Sequence, residues 1–355
     1  MTDRADVVIA GAGLAGACAA LVLSRDRRVV VLEAERPAAG ASGAAAGLAN
    51  PFMGRKAKPA WRHDEALDAL AELTAEAGAG LFRRTGILRP AASAAQAGRF
   101  AERAEAHAEV GWLSPGASAE RWPLVRSPFG TLVVTCGGSV DLPAFVEAAL
   151  AVAEARGSEV VRARLLDWRR EPTGMNAITD NGEVQARHLL LALGDGLRQL
   201  AAPPLPLHRV KGQTVLLARP DALPPDHPAV VGAGYAVPRA DGVVVGSTFE
   251  HAFSDVAPDA SLDAELAAKG AALLPALHGA RVLDRRAGVR LTVPTAVSPR
   301  RLPLAGPLPG HDGVWILTGL GAKGLLTAPL LARRLPAALD GARPLPPEVA
   351  VPGFV

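Results

Sequence analysis

Short apolar runs alternate with helical spacings from the start of the chain. Val7–Ala10 is apolar throughout, Leu14–Leu23 follows with helical spacing, and Val29–Leu32 is a second apolar run ending at Glu33. Runs of this length without polar alternation read as strands buried on both faces, so the order strand, helix, strand predicts a βαβ unit on a parallel sheet. Residues 40–59 are rich in small side chains and read as a loop over a ligand. His63–Ala77 carries apolar residues at helical intervals, Leu81–Arg89 reads as a strand, Ala94–Val110 as a polar helix, and Thr131–Cys136 is a β-branched run. Asp141, with Pro143 at an early helical position, opens a helix to about Arg156.

Short strands with turn signals continue to Gly194, among them Asp180–Asn181–Gly182. Val215–Ala218, Val230–Pro238 and Val243–Thr248 make a strand-rich middle, in which Ala240–Asp241–Gly242 is a hairpin turn. Ser261–Leu274 reads as helix, and Val314–Leu317 as a strand feeding a glycine-rich turn and a last helix. The mixture predicts an α/β fold: a Rossmann-like domain assembled from discontinuous segments, with an inserted mixed or antiparallel β-sheet domain. The expected division gives residues 1–80, 140–206 and 285–355 to the first domain, and 81–139 and 207–284 to the second. No internal repeat is visible.

Composition narrows the picture. In 355 residues, 49% are hydrophobic, enough for a large core, yet no apolar run approaches the ~18 residues that a membrane helix needs. Val7–Ala10 and the small residues after it could imitate a signal peptide, but Asp3 and Asp6 precede the run and glycines interrupt it at fixed spacing. Only two cysteines, Cys18 and Cys136, argue for a reducing compartment, and the expected location is the cytoplasm. A net charge of +3 neither requires nor excludes nucleic acid.

Gly11-Ala12-Gly13-Leu14-Ala15-Gly16 lies between the first strand and the first helix. The first glycine permits a tight turn, the second lets backbone approach a pyrophosphate, and the third lets helix and strand pack closely. Free N–H groups at the helix start then face phosphate. Glu33, about 20 residues on, can take ribose hydroxyls, and an acid there disfavours the 2′-phosphate of NADP. These residues alone do not separate FAD from NAD. Cys18, inside the helix, reads as a small core residue.

Further segments carry a family likeness. They are Gly40-Ala-Ser42-Gly43 with Gly47 and Pro51, then His208-Arg-Val-Lys211-Gly212-Gln213, then Tyr235-Ala-Val-Pro238-Arg239 with Asp241-Gly242 and Val245-Gly246-Ser247-Thr248. Arg286-Ala-Gly288-Val-Arg290 and Thr318-Gly319-Leu-Gly321-Ala322-Lys323-Gly324-Leu325 through Ala328-Pro329 complete the series. In this order, over nearly the whole chain, they resemble the D-amino-acid oxidase-like family of FAD-dependent oxidoreductases, which includes glycine oxidase and sarcosine oxidase. The final turn looks most like the oxidase module of the bifunctional enzyme that makes 5-methylaminomethyl-2-thiouridine in tRNA, where "GLGSRGL" stands in place of Gly319–Leu325.

The resemblance implies FAD as cofactor, so the discontinuous domain becomes the FAD-binding one and the inserted sheet the substrate-binding one. Implied flavin contacts are Gly11 to Gly16, Glu33, Ala34, Ser42, Gly43, Gly47, Leu165, Ala192, Gly194, Gly319, Gly321, Ala322, Lys323, Gly324 and Leu325. It further implies oxidation of the C–N bond of a small amine or amino acid to an imine, with O2 as electron acceptor. Arg290 is the candidate for the substrate carboxylate, its bidentate fork suiting that group; the alternative is an edge arginine paired with Asp284 or solvent. Lys323 stands in the turn implied to pass the pyrimidine end of the flavin, or else is a solvated lysine. Tyr235, the single tyrosine, faces substrate or is a core aromatic.

Other features carry less. Aromatic residues at 4% leave little material for a cage around a methylated ammonium. Arg55, Lys56, Lys58 and Arg62, near Phe52 and Trp61, form either a contact for RNA or phosphate, or a solvated basic face. His63-Asp64 and His251 show no metal-ligand spacing with other His or Cys, so no metal is assigned. A covalent flavin link at Cys136 is not expected. Two further readings stay beside the oxidase: oxidation of a modified wobble uridine in tRNA, and a flavin-binding protein without catalysis.

Overall fold

The structure is a computed structural model that describes residues 4–200 and 205–352. Asp3 and the outermost ends of the expected division lie outside the described residues. The opening unit forms as its pattern dictates: strand Ala5–Ala10, helix Leu14–Leu23 and strand Val29–Glu33, the two strands parallel with Val7 opposite Val29. Every residue of that helix is buried, which its composition of Ala, Leu, Val, Gly and Cys18 requires. Cys18 is a core residue, its thiol pushed up by complete burial.

Parallel pairing extends the unit into a sheet ordered Glu159–Arg162, Val29–Glu33, Ala5–Ala10, Gly182–Leu191 and Val314–Thr318. Leu304–Pro307 adds an antiparallel edge, and the antiparallel strands Leu165–Glu171 and Gly174–Thr179 pair onto the early half of Gly182–Leu191. One face of this sheet buries against the helices Leu14–Leu23, His63–Ala77, Leu142–Ala155 and Gly324–Ala332. The other face closes over Leu165, Met175, Ala177 and Leu197. Asp141 caps the helix Leu142–Ala155, its side chain accepting from Ala144 N–H with Pro143 in the first turn.

The second sheet has eight strands, in the order Val282–Thr292, His208–Leu217, Val243–Gly246, Tyr235–Pro238, Ala229–Val231, Ile87–Pro90, Thr131–Val134 and Val110–Leu113. All neighbours are antiparallel except Ala229–Val231 with Ile87–Pro90. Helix Asp263–Leu273 covers one face. Residues 285–292, expected in the FAD-binding half, pair throughout with His208–Leu217, so this strand belongs to the second sheet.

Three local expectations are corrected. Leu81–Arg89 is two strands, Phe82–Arg83 and Ile87–Pro90, because Gly86 at φ +80° turns the chain from a small three-stranded sheet into the large one. Val230–Pro238 likewise divides around Gly232–Gly234 into an antiparallel pair. The polar helix runs Ala94–Ala106 and stops where His107 takes an extended conformation, which frees Val110 for the edge strand Val110–Leu113. Asp241–Gly242 makes the expected hairpin between Tyr235–Pro238 and Val243–Gly246. No helix among the described residues is long and apolar enough to cross a membrane.

Candidate active site

The opening turn is built so that backbone, not side chain, meets whatever lies above it. Gly11 has φ +104°, and a Cβ there would stand 2.6 Å from Ala192 O; one on Gly16 would stand 1.8 Å from Gly11 O. Gly13 differs: an added Cβ would meet only Ser42 Oγ, at 3.3 Å. Ser42 Oγ accepts the Leu14 N–H at 3.0 Å, so the loop from Gly40 reaches across the helix start. Glu33 accepts from Ala12 N–H at 2.8 Å and from Glu35 N–H at 2.9 Å, which fixes its carboxylate beside the turn with acceptor capacity left for hydroxyls. Ala34 follows it at the strand end.

The far end of the chain returns to the same place. Val314–Thr318 runs into Gly319 (φ +71°) and Gly321 (φ +54°), then into the helix Gly324–Ala332. A Cβ on Gly324 would lie 3.6 Å from Leu14 Cδ2, so the starts of the first and last long helices of the sheet are neighbours. Neither helix carries an acidic residue in its first turn. Two helix N-termini with partial positive charge, side by side, form a cradle for anionic groups. The hydroxyl of Thr318, at the strand end feeding the turn, is buried without a hydrogen-bond partner among the described residues. A flavin dinucleotide supplies a diphosphate for the first helix and a ring that gains negative charge on reduction for the second, so these residues fit FAD.

One implied contact sits in the core. Leu165 packs in the core on the far face of the sheet, and its backbone pairs with Thr179. Ala163 is the residue whose N–H bonds Glu33 O, at 3.0 Å, and nothing in the sequence pattern singled it out. Ala192 borders Gly11, and Gly194, at φ +54°, begins a short 3-10 turn. Gly43 and Gly47 make close backbone approaches: Cβ atoms there would fall 2.3 Å from Ala38 O and 1.8 Å from Val140 O.

Arg290 lies on Val282–Thr292 opposite Val210, two residues before Thr292, whose backbone bridges to Leu320 of the C-terminal turn. Its guanidinium stacks over the Phe249 ring at 4.6 Å and reaches Thr248 O at 3.5 Å. A Cβ on Gly212 would come within 3.3–3.4 Å of the guanidinium nitrogens, so glycine in that strand makes its room. Asp284 pairs with Arg286 at 2.9 Å, which removes it as the partner of Arg290, and Arg290 has no carboxylate partner among the described residues. Burial holds its pKa below the usual value.

Tyr235 shares this space. Its hydroxyl lies over Gly246, where a Cβ would be 2.6 Å away, and bonds Ser247. Burial raises the phenol, opposed by that bond and by the nearby charge of Arg290. Arg290 and Tyr235 therefore converge. Lys323 does not join them through any contact: its ammonium donates to Arg300 O, with its pKa lowered by burial and by the charges of Arg301 and Arg300. Its backbone remains in the turn beside Ala322, Gly324 and Leu325. The basic cluster also divides, since Arg62 pairs with Glu65 at 3.0 Å while Arg55, Lys56 and Lys58 are exposed.

A nucleotide-binding turn closed by a second helix start, beside a half-buried arginine with no counter-charge, defines a dinucleotide-dependent oxidoreductase. Residues 6–337 match the DAO family, described as FAD dependent oxidoreductase, and the chain belongs to that family. FAD is its cofactor. It is 29% identical to a glycine oxidase of Pseudomonas putida over 361 residues, covering 96% of this chain and 95% of that one. It is 34% identical to the tRNA 5-methylaminomethyl-2-thiouridine biosynthesis bifunctional protein of Maricaulis maris, covering 95% of this chain but 52% of that protein. The chain thus spans about half of that relative's length. The crystal structure of glycine oxidase from Geobacillus kaustophilus superposes over the whole of both chains with a TM-score of 0.86 at 22% identity, a likeness of fold.

Proposed function

We propose that this chain oxidises the C–N bond of a small amino acid or carboxylate-bearing amine to an imine, which water then hydrolyses. One observation carries the reading: Arg290 is a half-buried guanidinium without an anionic partner, next to Tyr235, on the strand that leads to the C-terminal turn. A buried cation left unpaired is costly, and an incoming carboxylate offsets that cost with two parallel N–H···O bonds. Bound FAD supplies the acceptor for the hydride leaving the carbon beside nitrogen. Arg290 fixes the carboxylate and therefore the position of that carbon, while Tyr235 lines the same space. The start of the helix Gly324–Ala332 favours the negative charge that develops at the end of the reaction. No strong base is needed when the amine enters neutral.

O2 is the proposed electron acceptor, which makes hydrogen peroxide the second product, and the cytoplasm the proposed location, supported by two cysteines that are both unpaired. Anaerobic titration with glycine, sarcosine, iminodiacetate and larger amino acids, following loss of flavin absorbance, tests the reading; a flavin that no member of the panel bleaches would sink it. The 34% identity to the bifunctional tRNA enzyme supports a second substrate class, a carboxymethylaminomethyl uridine in tRNA, for the same chemistry. Against it, Arg62 is neutralised by Glu65, which leaves only Arg55, Lys56 and Lys58 as a basic patch. Unaltered wobble uridines in tRNA from a deletion strain would remove this class. Peroxide release with any amine would remove the non-catalytic reading.

A further inference from the structure

Away from the flavin cradle, the fold brings together three groups that sequence spacing does not associate. His63 and Asp64 open the helix His63–Ala77, while Glu109 lies in the segment entering the edge strand Val110–Leu113. The His63 ring packs edge-on against Phe52, with centroids 5.5 Å apart, which turns Nε2 toward the carboxylates. Asp64 Oδ1 is 3.2 Å from Nε2 and Glu109 Oε1 is 3.9 Å from it. All three atoms lie within 4.8 Å of one another. Nε2 is nevertheless buried and forms no hydrogen bond, so the close approach to Asp64 lacks the direction of one.

We infer that His63, Asp64 and Glu109 form a binding site for a first-row divalent cation of the zinc type. Bonds of about 2.0–2.2 Å to imidazole nitrogen and carboxylate oxygen put neighbouring donors of a tetrahedron about 3.3 Å apart. The separations of 3.2 and 3.9 Å from the imidazole nitrogen bracket that spacing. A dication held between the two carboxylates would give the buried nitrogen the partner it lacks among the described residues. The backbone of Glu109 is anchored as well, because its carbonyl accepts from the N–H and the hydroxyl of Thr135, each at 2.9 Å. An imidazole nitrogen among the donors favours zinc over calcium or magnesium, which take oxygen ligands. The bound ion would tie a helix of the FAD-binding layer to the edge of the second sheet, distant in role from the oxidation.

Isothermal titration of the flavin-loaded, chelator-treated protein with zinc chloride tests the site. One equivalent should bind saturably and raise the unfolding temperature, and magnesium or calcium should give no saturable heat. His63→Ala and Glu109→Gln should each weaken zinc binding by at least about tenfold, the scale at which even outer-shell changes act on metal sites. Asp64→Asn alters a side chain that is 73% exposed and so carries the same test should a buried change prevent folding. Absence of saturable zinc uptake, uptake equal in the parent and all variants, or equal affinity for calcium would each overturn the inference.

Discussion

Around the opening turn a ligand meets backbone; around Arg290 it meets side chains. The first region is fixed by glycines whose added Cβ atoms would strike carbonyl oxygens, and by helix starts whose N–H groups need no side chain to present them. The second depends on a guanidinium, a phenol and a phenyl ring carried by strands and a loop of the second sheet. A backbone site recognises what every substrate turnover has in common, the cofactor. A side-chain site can be changed residue by residue without disturbing the first, and in the proposed function it is the one that selects the amine.

That contrast can be broken by substitutions whose effects should fall in a set order. Gly16→Ala should be the most damaging, because its Cβ would overlap Gly11 O at 1.8 Å and force the first helix off the sheet. Purified protein should lose its flavin absorbance, whereas Gly13→Ala, with only Ser42 Oγ nearby, should retain part of it. Retention of full flavin by Gly16→Ala would contradict the backbone account. Arg290→Ala should come next, lowering kcat/KM by about 2–5 kcal/mol, roughly 30-fold to several thousand-fold, with the flavin spectrum unchanged. Steady-state rates on the best carboxylate-bearing substrate measure it, and a loss under about threefold would remove Arg290 from the site.

Glu33→Gln should weaken FAD by about 1.5–3 kcal/mol, the worth of hydrogen bonds to a charged group, read from flavin fluorescence on dilution. Tyr235→Phe should cost about 0.5–1.5 kcal/mol in kcat/KM, since it deletes one hydroxyl already engaged with Ser247. Lys323→Met should have the smallest effect on substrate KM, because its ammonium is committed to Arg300 O. An increase in KM matching that of Arg290→Ala would instead make Lys323 the second arm of a carboxylate clamp.

The same contrast governs what was legible in the chain. The strand, glycines, helix and terminal acid are contiguous, and each follows from local chemistry, so the cradle is written in the order of its residues. Arg290 and Tyr235 came from short motifs in family order rather than from their own surroundings, and their convergence rests on the pairing of Val282–Thr292 and Tyr235–Pro238 into one sheet. The direction of the Lys323 side chain depends on the loop holding Arg300, which no motif describes. Leu165 packs in the core beside Ala163, and alternation along the chain gives no signal that separates the two. The approach of Glu109 to His63 and Asp64 required a helix to end at Ala106 rather than at Val110, a boundary set by the conformation of His107 and by edge-strand pairing.

Gly288 is where the cofactor loop and the substrate strand touch. An added Cβ there would stand 2.7 Å from Ala41 Cα and 3.0 Å from Ala44 Cβ, so the short helix Ala41–Ala44, which carries Ser42, rests directly on the strand carrying Arg290. If Arg290 takes the substrate carboxylate as proposed, this close packing would hold the span from guanidinium to cofactor as a fixed gauge. Such a gauge measures how many bonds separate carboxylate from amine, and it should accept α-amino acids while rejecting β-alanine, whose reacting carbon would fall one bond out of register.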